Sequence, residues 1–586
     1  MPTADEVTVR QVLDLFDGHF SSVAEGVANG EFAFWIGSGV SRKAPSLGGL
    51  IELGIENLRV RAVDPAMAAT FYPKLEQALT MGEGALDELR PYYNQPFKSW
   101  PKATDIRSKL WNKYSRFLDI RIAGQPADYM LWEAVDIRQA FGNPAQPAAE
   151  HLCLAILVLE GAVHEMASAN WDGFIEAAVS ELSGAAVGLL QVVVDPNHLR
   201  SGAGTARLLK FHGCIRHATA EPDVFRPFLT GSHTQITEWP DEPKFAAVVA
   251  AVTGIATNLH SLVMGLSIQD ANLQGVFSKA KKANPWPWPP DPNAPGHIFC
   301  EDIIKEGQQD VLKIVYGAHY ADHMEAIEAG SHLRAWAEQV LIALVLNVLC
   351  RKLASLMSDR LHGLGYGAHA DDVIAFLHNL RNSVAELALP DAADKSRTPY
   401  VRRAIGVWSR VLAVFRTGGL PTVTNGYEKI SASGPKQLLA DANAVATRLG
   451  EFGIAMSLLH HGQTQGHWRL EGRSSEPLKA GALAAQGTWE GAPVRPIFVV
   501  KGAGEAVGLD KAGALADNSA IVIHADSAWN DITEGNGSGS ARRVRKAPGR
   551  TGRLPVPTRH VSLQKIMERS EDASGLMNEL VSELSL

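Results

Sequence analysis

Short, mainly apolar runs alternate with stretches of helical periodicity over the first half of the chain. Phe32 to Ile36, Leu189 to Val194, Leu208 to Phe211 and Leu262 to Met264 have the texture of strands in a parallel sheet. Gly161 to Met166 reads as a further strand edge leading to Asn170-Trp171-Asp172. Residues 8–30 read as a helix, with Val9, Val12, Leu13, Phe16 and Phe20 on a broad apolar face. Residues 47–160 are mostly helical in pattern, broken at Asn94-Gln95-Pro96 and Gly142-Asn143-Pro144. That stretch is long for one crossover and predicts a helical insertion at about 60–145. Strands alternating with helices predict an α/β fold with a doubly wound parallel sheet, closing near Val315-Tyr316-Gly317.

The texture changes twice after residue 330. Leu-, Ala- and Val-rich stretches at 333–357, 372–388, 401–416 and 437–459 predict a helical region over 331–470. From 471 to 586 a smaller C-terminal α/β region is expected, with buried strands at Pro496–Val500 and Ala520–His524 and a terminal helix over 558–584. Asn284 to Pro292 alternates proline with Trp286 and Trp288, so it predicts a semi-rigid loop. Its tryptophans serve either as an interaction surface or as packing that pins the loop.

A chain of 586 residues with 46% hydrophobic content can bury a large core, and its net charge of −8 argues against a surface built throughout for nucleic acid. One basic run (Arg542, Arg543, Arg545, Lys546, Arg550, Arg553) in the glycine-rich segment 535–553 is the local exception. It reads as a solvated loop or as a contact for nucleic acid or a partner. Four cysteines, Cys153, Cys214, Cys300 and Cys350, lie far apart with no C-x-x-C pair, which excludes a sequence-local zinc ribbon and fits a reduced cytoplasm. Met1 to Val9 is polar and acidic, unlike a signal peptide, and the apolar run Val340 to Leu346 is too short to span a bilayer. A cytoplasmic protein without membrane association is the expectation.

Candidate chemistry gathers where the strands end. Phe32 to Ile36 runs into Gly37-Ser38-Gly39-Val40-Ser41, a glycine turn that lets backbone approach a phosphate without Cβ hindrance. Asn170 and Asp172 sit at a strand-to-helix junction, and His212 ends another strand beside Gly213. Gly265-Leu266-Ser267, with Asp270 and Asn272 following, repeats the glycine-and-hydroxyl pattern. In an open α/β sheet all four segments meet at the carboxyl edge, where such folds bind ligands. His460, His461 and His467 have no cysteine or carboxylate cluster nearby, so they read as solvated or packing residues and no metal is expected.

The ordered set G-S-G-x-S, N-x-D, F-H-G and G-x-S-x-x-D-x-N resembles the sirtuin-like domain, in the branch found in bacterial anti-phage defence effectors, over roughly residues 25–325. The resemblance implies a Rossmann-like sheet over 1–330 that binds NAD as substrate. It implies Gly37, Ser38, Gly39 and Ser41 at the phosphates, Asn170 as a catalytic residue positioning the attacking group, and Asp172 at the ribose side. It implies His212 as general base, with Gly265, Ser267 and Asn272 forming a second nucleotide-holding turn and Asp270 capping the next helix. Two departures qualify the activity. The paired-cysteine zinc module of protein-deacylating sirtuins is absent from the sequence, and the first motif continues as Arg42-Lys43-Ala44-Pro45-Ser46 instead of the deacylase loop.

Without that zinc module, hydrolysis of NAD by water is the expected activity, giving nicotinamide and ADP-ribose. The family's logic makes it a NAD-depleting effector that acts as a homo-oligomer or with a HerA-type ring ATPase or a short Argonaute. Two alternatives stand beside it, a NAD-dependent protein deacylase and a module that senses NAD or ADP-ribose without turnover.

Overall fold

The computed structural model describes residues 3–41, 47–142, 146–201, 204–290, 293–472, 481, 483–515, 519–526 and 558–586. The basic run 542–553, the rest of 535–553, the segment 42–46 and the expected break at Asn143-Pro144 lie outside them.

Seven strands form one wholly parallel sheet: β1 (Phe32–Ile36), β2 (Glu165–Ser168), β3 (Leu190–Val193), β4 (Ala206–Lys210), β5 (His260–Met264), β6 (His297–Cys300) and β7 (His332–Leu333). Their order is β3-β4-β2-β1-β5-β6-β7, so β2, β3 and β4 lie on one side of β1, with β4 between β2 and β3, and β5, β6 and β7 lie on the other. The consequence is a topological switch point between β1 and β5, with Ile36 in register with Met264. Every residue of β1 is buried, as a central strand covered on both faces requires. The architecture is the expected α/β class with a Rossmann-like parallel sheet.

One face packs against helices Val9–Asp17, Ser21–Ala28, Ala149–Leu159 and Phe174–Ser183, in a core that also takes in the start of helix Ala337–Gly363. The other face packs against Ala246–Asn258, Ala271–Ala283 and Glu306–Tyr316. The insertion between β1 and β2 has a core of its own, built from residues such as Leu58, Leu75, Leu110 and Phe117. Trp286 and Trp288 are partly buried against the sheet, where Trp286 packs tilted against the His260 ring at 4.5 Å, so packing pins their loop.

Several boundaries differ from expectation. The stretch 8–30 is two helices, because Gly18 caps the first and the chain turns before Ser21. β7 was hidden beside a helical pattern, and only two residues form it. The run Val340–Leu346 belongs to a 27-residue helix that is long and apolar enough to cross a membrane, yet 72% of its apolar window is buried inside the protein. It runs from the sheet-domain core into a second core shared with helices Ala370–Glu386, Thr398–Thr417 and Leu449–Thr464.

The C-terminal region holds a five-stranded sheet of β8 (Trp468–Gly472), β9 (Leu483–Gly487), β10 (Val494–Val500), β11 (Ile521–His524) and β12 (Arg559–Ser562). The order is β12-β11-β10-β9-β8, parallel from β10 to β12 and antiparallel from β8 to β10. The expected terminal helix therefore begins as a strand and continues as Leu563–Arg569 and Ala573–Leu584.

Candidate functional site

Strands β4, β2, β1 and β5 are neighbours, so the loops that leave their carboxyl ends lie side by side. Backbone bonds tie these loops together: Gly37 N–H donates to Met264 C=O at 3.0 Å, Ala169 N–H to Ile36 C=O at 3.2 Å, and Phe211 N–H to Ser168 C=O at 3.2 Å. The four sequence motifs thus share one edge, at the switch point.

The glycines are required by backbone packing. A Cβ on Gly37 would stand 2.2 Å from Gly265 O, and one on Gly39 would stand 2.6 Å from Gly265 Cα. Gly39 N–H also donates to Gly265 C=O at 3.1 Å, and Gly265 adopts φ +62°, a left-handed conformation that glycine reaches without strain. Ser38 is exposed at the start of the short helix Ser38–Val40, and Gly39 is partly exposed beside it.

Asn170 and Ser41 meet over the same turn. Asn170 Nδ2 donates to Gly37 C=O at 3.0 Å and to Ser41 Oγ at 3.2 Å, which engages both amide protons and presents Oδ1 as an acceptor. Ser41 is 6% exposed, and its Oγ lies 3.0 Å from His151 Nε2. The ring's other nitrogen, Nδ1, accepts the Ala148 N–H at 3.1 Å. Burial lowers the His151 pKa to about 4, so the ring is neutral at pH 7 with its proton on Nε2. His151 therefore donates to Ser41. With two bonds accepted, the Ser41 hydroxyl proton is directed to a third partner.

His212 is carried by the loop after β4, 13% exposed, with its ring edge-on to Phe211 and Trp239. Burial lowers its pKa to about 4, leaving a neutral imidazole. Its Nε2 has no hydrogen-bond partner among the described residues and faces Asp270 Oδ2 at 4.0 Å. Burial raises the Asp270 pKa above the ordinary carboxylate value, opposed by the Asn272 backbone N–H and the Trp239 indole. Asp270 also caps helix Ala271–Ala283 through Oδ1, which accepts the Asn272 N–H at 2.9 Å.

Asp172 and Asn272 each have protein partners of their own. Asp172 is buried, and its Oδ1 accepts the Phe174 N–H at 3.2 Å where the next helix begins. Its carbonyl accepts Lys210 Nζ, and Lys210 in turn pairs with Glu176 at 2.7 Å in a site where the lysine is 2% exposed. Burial alone would lower the Lys210 pKa, but the Glu176 carboxylate outweighs it and the net shift is upward. Asn272 Nδ2 donates to the carbonyls of Ile236 and Thr237 at 2.8 and 3.1 Å, tethering helix His233–Glu238. Ser267 is half-buried, with its carbonyl packed on Gly307.

The structure thus unites Gly37, Gly39, Ser41, Asn170 and Gly265 in one contact network and sets His212 opposite Asp270. Asp172 and Asn272 are engaged in helix starts and tethers. His151 was not foreseen, although its sequence signal exists: one polar ring in the first turn of the apolar helix Ala149–Leu159, shortly after Pro147. The insertion reaches this edge too: its Asp119 accepts the Thr234 hydroxyl at 2.6 Å from the helix that Asn272 tethers. Among the described residues no group of three or more His, Cys, Asp or Glu side chains is arranged to hold a metal. No protein-family model and no curated protein matches the chain.

Proposed function

We propose that this protein hydrolyses NAD to nicotinamide and ADP-ribose. The observation that carries the reading is the Asn170–Ser41–His151 network at the switch point, one strand over from His212. Nicotinamide leaves as a neutral molecule, so cleavage needs little acid help. The bond between the ribose anomeric carbon and the pyridinium nitrogen breaks, and its electron pair stays on nicotinamide. Water attacks the anomeric carbon and loses its proton to neutral His212. Asn170 Oδ1 orients the water or a ribose hydroxyl without adding charge. Gly37, Gly39 and Gly265 pack the two turns against each other where the diphosphate would lie, with Ser38, Ser41 and Ser267 as its hydroxyl partners and Asp172 and Asn272 supporting the loops.

The physiological role within this proposal is depletion of NAD during phage infection, in the cytoplasm and without membrane association. The chain would act as a homo-oligomer or with a HerA-type ring ATPase or a short Argonaute, and the basic run 542–553 would be its contact with nucleic acid or partner. One observation favours a second reading, binding of NAD or ADP-ribose without turnover: a histidine whose pKa lies near 4 is a weak base.

Chromatographic measurement of nicotinamide and ADP-ribose, for wild type, Asn170→Ala and His212→Ala, decides between them. Turnover without any acylated peptide, lowered about 100-fold or more by either substitution, supports the hydrolase. Turnover unchanged by both overturns the site assignment. Saturable binding without product, insensitive to His212→Ala, supports the sensor.

A further inference from the structure

The helical region forms a half-open cavity of about 260 Å³ whose wall is almost wholly apolar. Helices Ala149–Leu159, Ala337–Gly363, Ala370–Glu386, Thr398–Thr417 and Leu449–Thr464 surround it through residues such as Ile156, Leu349, Leu377, Ile405 and Met456. Close-packed interiors leave few voids larger than a water, and atoms lining a void forfeit dispersion contacts. An apolar cavity of about 150 Å³ stays dry and takes up benzene. On that scale 260 Å³ suits roughly ten carbons of an unbranched chain.

A second cavity of about 460 Å³, its wall part polar and part apolar, shares lining residues with the first. Cys350 and Arg381 line both, so the two cavities share that stretch of wall. Arg351, Arg381 and Lys436 stand on this wall with His378, Asp17 and Glu25. Arg381 is 6% exposed and grips Asp17 in a two-pronged pair at 2.9 and 2.5 Å. Arg351 donates Nε to Asn347 Oδ1 at 2.8 Å, which fixes its guanidinium on the wall. Lys436 is loosely held, 3.1 Å from the exposed Glu31.

We propose that the two cavities form one head-and-tail site for a medium-chain fatty acid. The hydrocarbon chain lies in the apolar cavity and the carboxylate among Arg351, Arg381 and Lys436. A small hydrophilic anion gains nothing from the apolar part, and a neutral hydrocarbon gains nothing from the guanidinium groups, so the joined cavities select a molecule with both ends. The inference does not depend on NAD chemistry.

The test is isothermal titration of the full chain, stripped of co-purified lipid, with decanoate below its micellar range. Saturable binding is expected, with butyrate and decanol each at least about ten-fold weaker because one lacks the chain and the other the charge. Arg351→Gln should weaken decanoate about ten-fold and leave decanol unchanged. Ala404→Phe, which places a ring in the apolar cavity, should abolish both, with thermal melting to verify that the variant folds; if it does not fold, the Arg351→Gln comparison decides. Absence of saturable decanoate binding by the wild type, or equal affinity for decanoate and butyrate, overturns the proposal. Equal affinity for decanoate and decanol removes the carboxylate from it.

Discussion

Ser41 Oγ and His151 Nε2 stand 3.0 Å apart, and the direction of the proton between them is fixed by a third group. Because the Ala148 N–H occupies His151 Nδ1, the histidine donates and the serine accepts. The pair spans the insertion, joining the glycine turn after β1 to the helix that leads into β2.

The first prediction concerns that pair. His151→Ala leaves the Ser41 hydroxyl free to rotate, so Asn170 loses a fixed neighbour. NAD turnover is expected to fall about ten- to 100-fold, mainly in kcat, and Ser41→Ala should do the same. The double variant should be little worse than either single, since both remove one interaction. Additive losses in a double-mutant cycle would show that the two residues act separately.

A second prediction follows from histidines buried in the neutral form. Burial places the pKa of His151, His212 and His560 near 4 and that of His297 and His524 near 3. An unfolded histidine titrates near 6.5, so between that value and the folded one the unfolded chain binds more protons. Stability is therefore lost as pH falls through 6.5, by up to about 1.4 kcal/mol per pH unit for each such group, and the loss ends at the folded pKa. Thermal melting should be flat between pH 7 and 8 and drop steeply from pH 6.5 to 5. Turnover, if His212 is the base, should hold from pH 8 to 6; a half-maximal point near 6.5 in kcat/KM would contradict the neutral, buried ring.

Much of this arrangement was legible in the sequence, and the parts that were not have physical reasons. β1 is apolar at every position because a central parallel strand buries both faces, so its run could be read directly. β8 and β9 carry exposed and small residues on an antiparallel edge, Arg469 and Glu471 in one and Ala484 and Ala485 in the other, and gave no such signal. The glycines and Asn170 could be found because motif order brings them to one edge. The bond that orders Ser41 could not, since His151 lies 110 positions away and only tertiary packing joins them. Asn272 shows the converse: a residue placed in the right turn whose amide is turned to a neighbouring helix.

The third prediction separates packing from ligand contact in the glycine turns. Gly37→Ala and Gly39→Ala drive a methyl into the backbone at Gly265, which has no flexible side chain to move aside. Each should cost about 1–3 kcal/mol or more with no ligand present. Gly275→Ala, in the helix that follows and open to space, is the control and should be neutral or stabilising by about 0.5–1 kcal/mol. Denaturation of the ligand-free protein checks this. If Gly39→Ala were as stable as wild type yet bound NAD poorly, the glycine would serve the ligand alone.

The last prediction concerns what holds the helical region on the sheet domain. Glu160, just after helix Ala149–Leu159, and Lys352, within Ala337–Gly363, form an ion pair at 2.7 Å with both side chains wholly buried. The pair is fully bonded: Lys352 Nζ also donates to the carbonyls of Glu160 and Ser431, while Glu160 Oε1 accepts from Tyr427 OH and the Ile430 N–H. Desolvation makes such a pair a poor source of net stability, but removing one partner strands a charge in the core. Lys352→Met is thus expected to destabilise by about 3–5 kcal/mol, lowering the urea midpoint. Glu160→Gln/Lys352→Met removes both charges and should recover part of that loss, because the amide still accepts from Tyr427 and Ile430. A double variant as unstable as Lys352→Met would mean that the carbonyls left without the ammonium, and not the stranded carboxylate, set the cost.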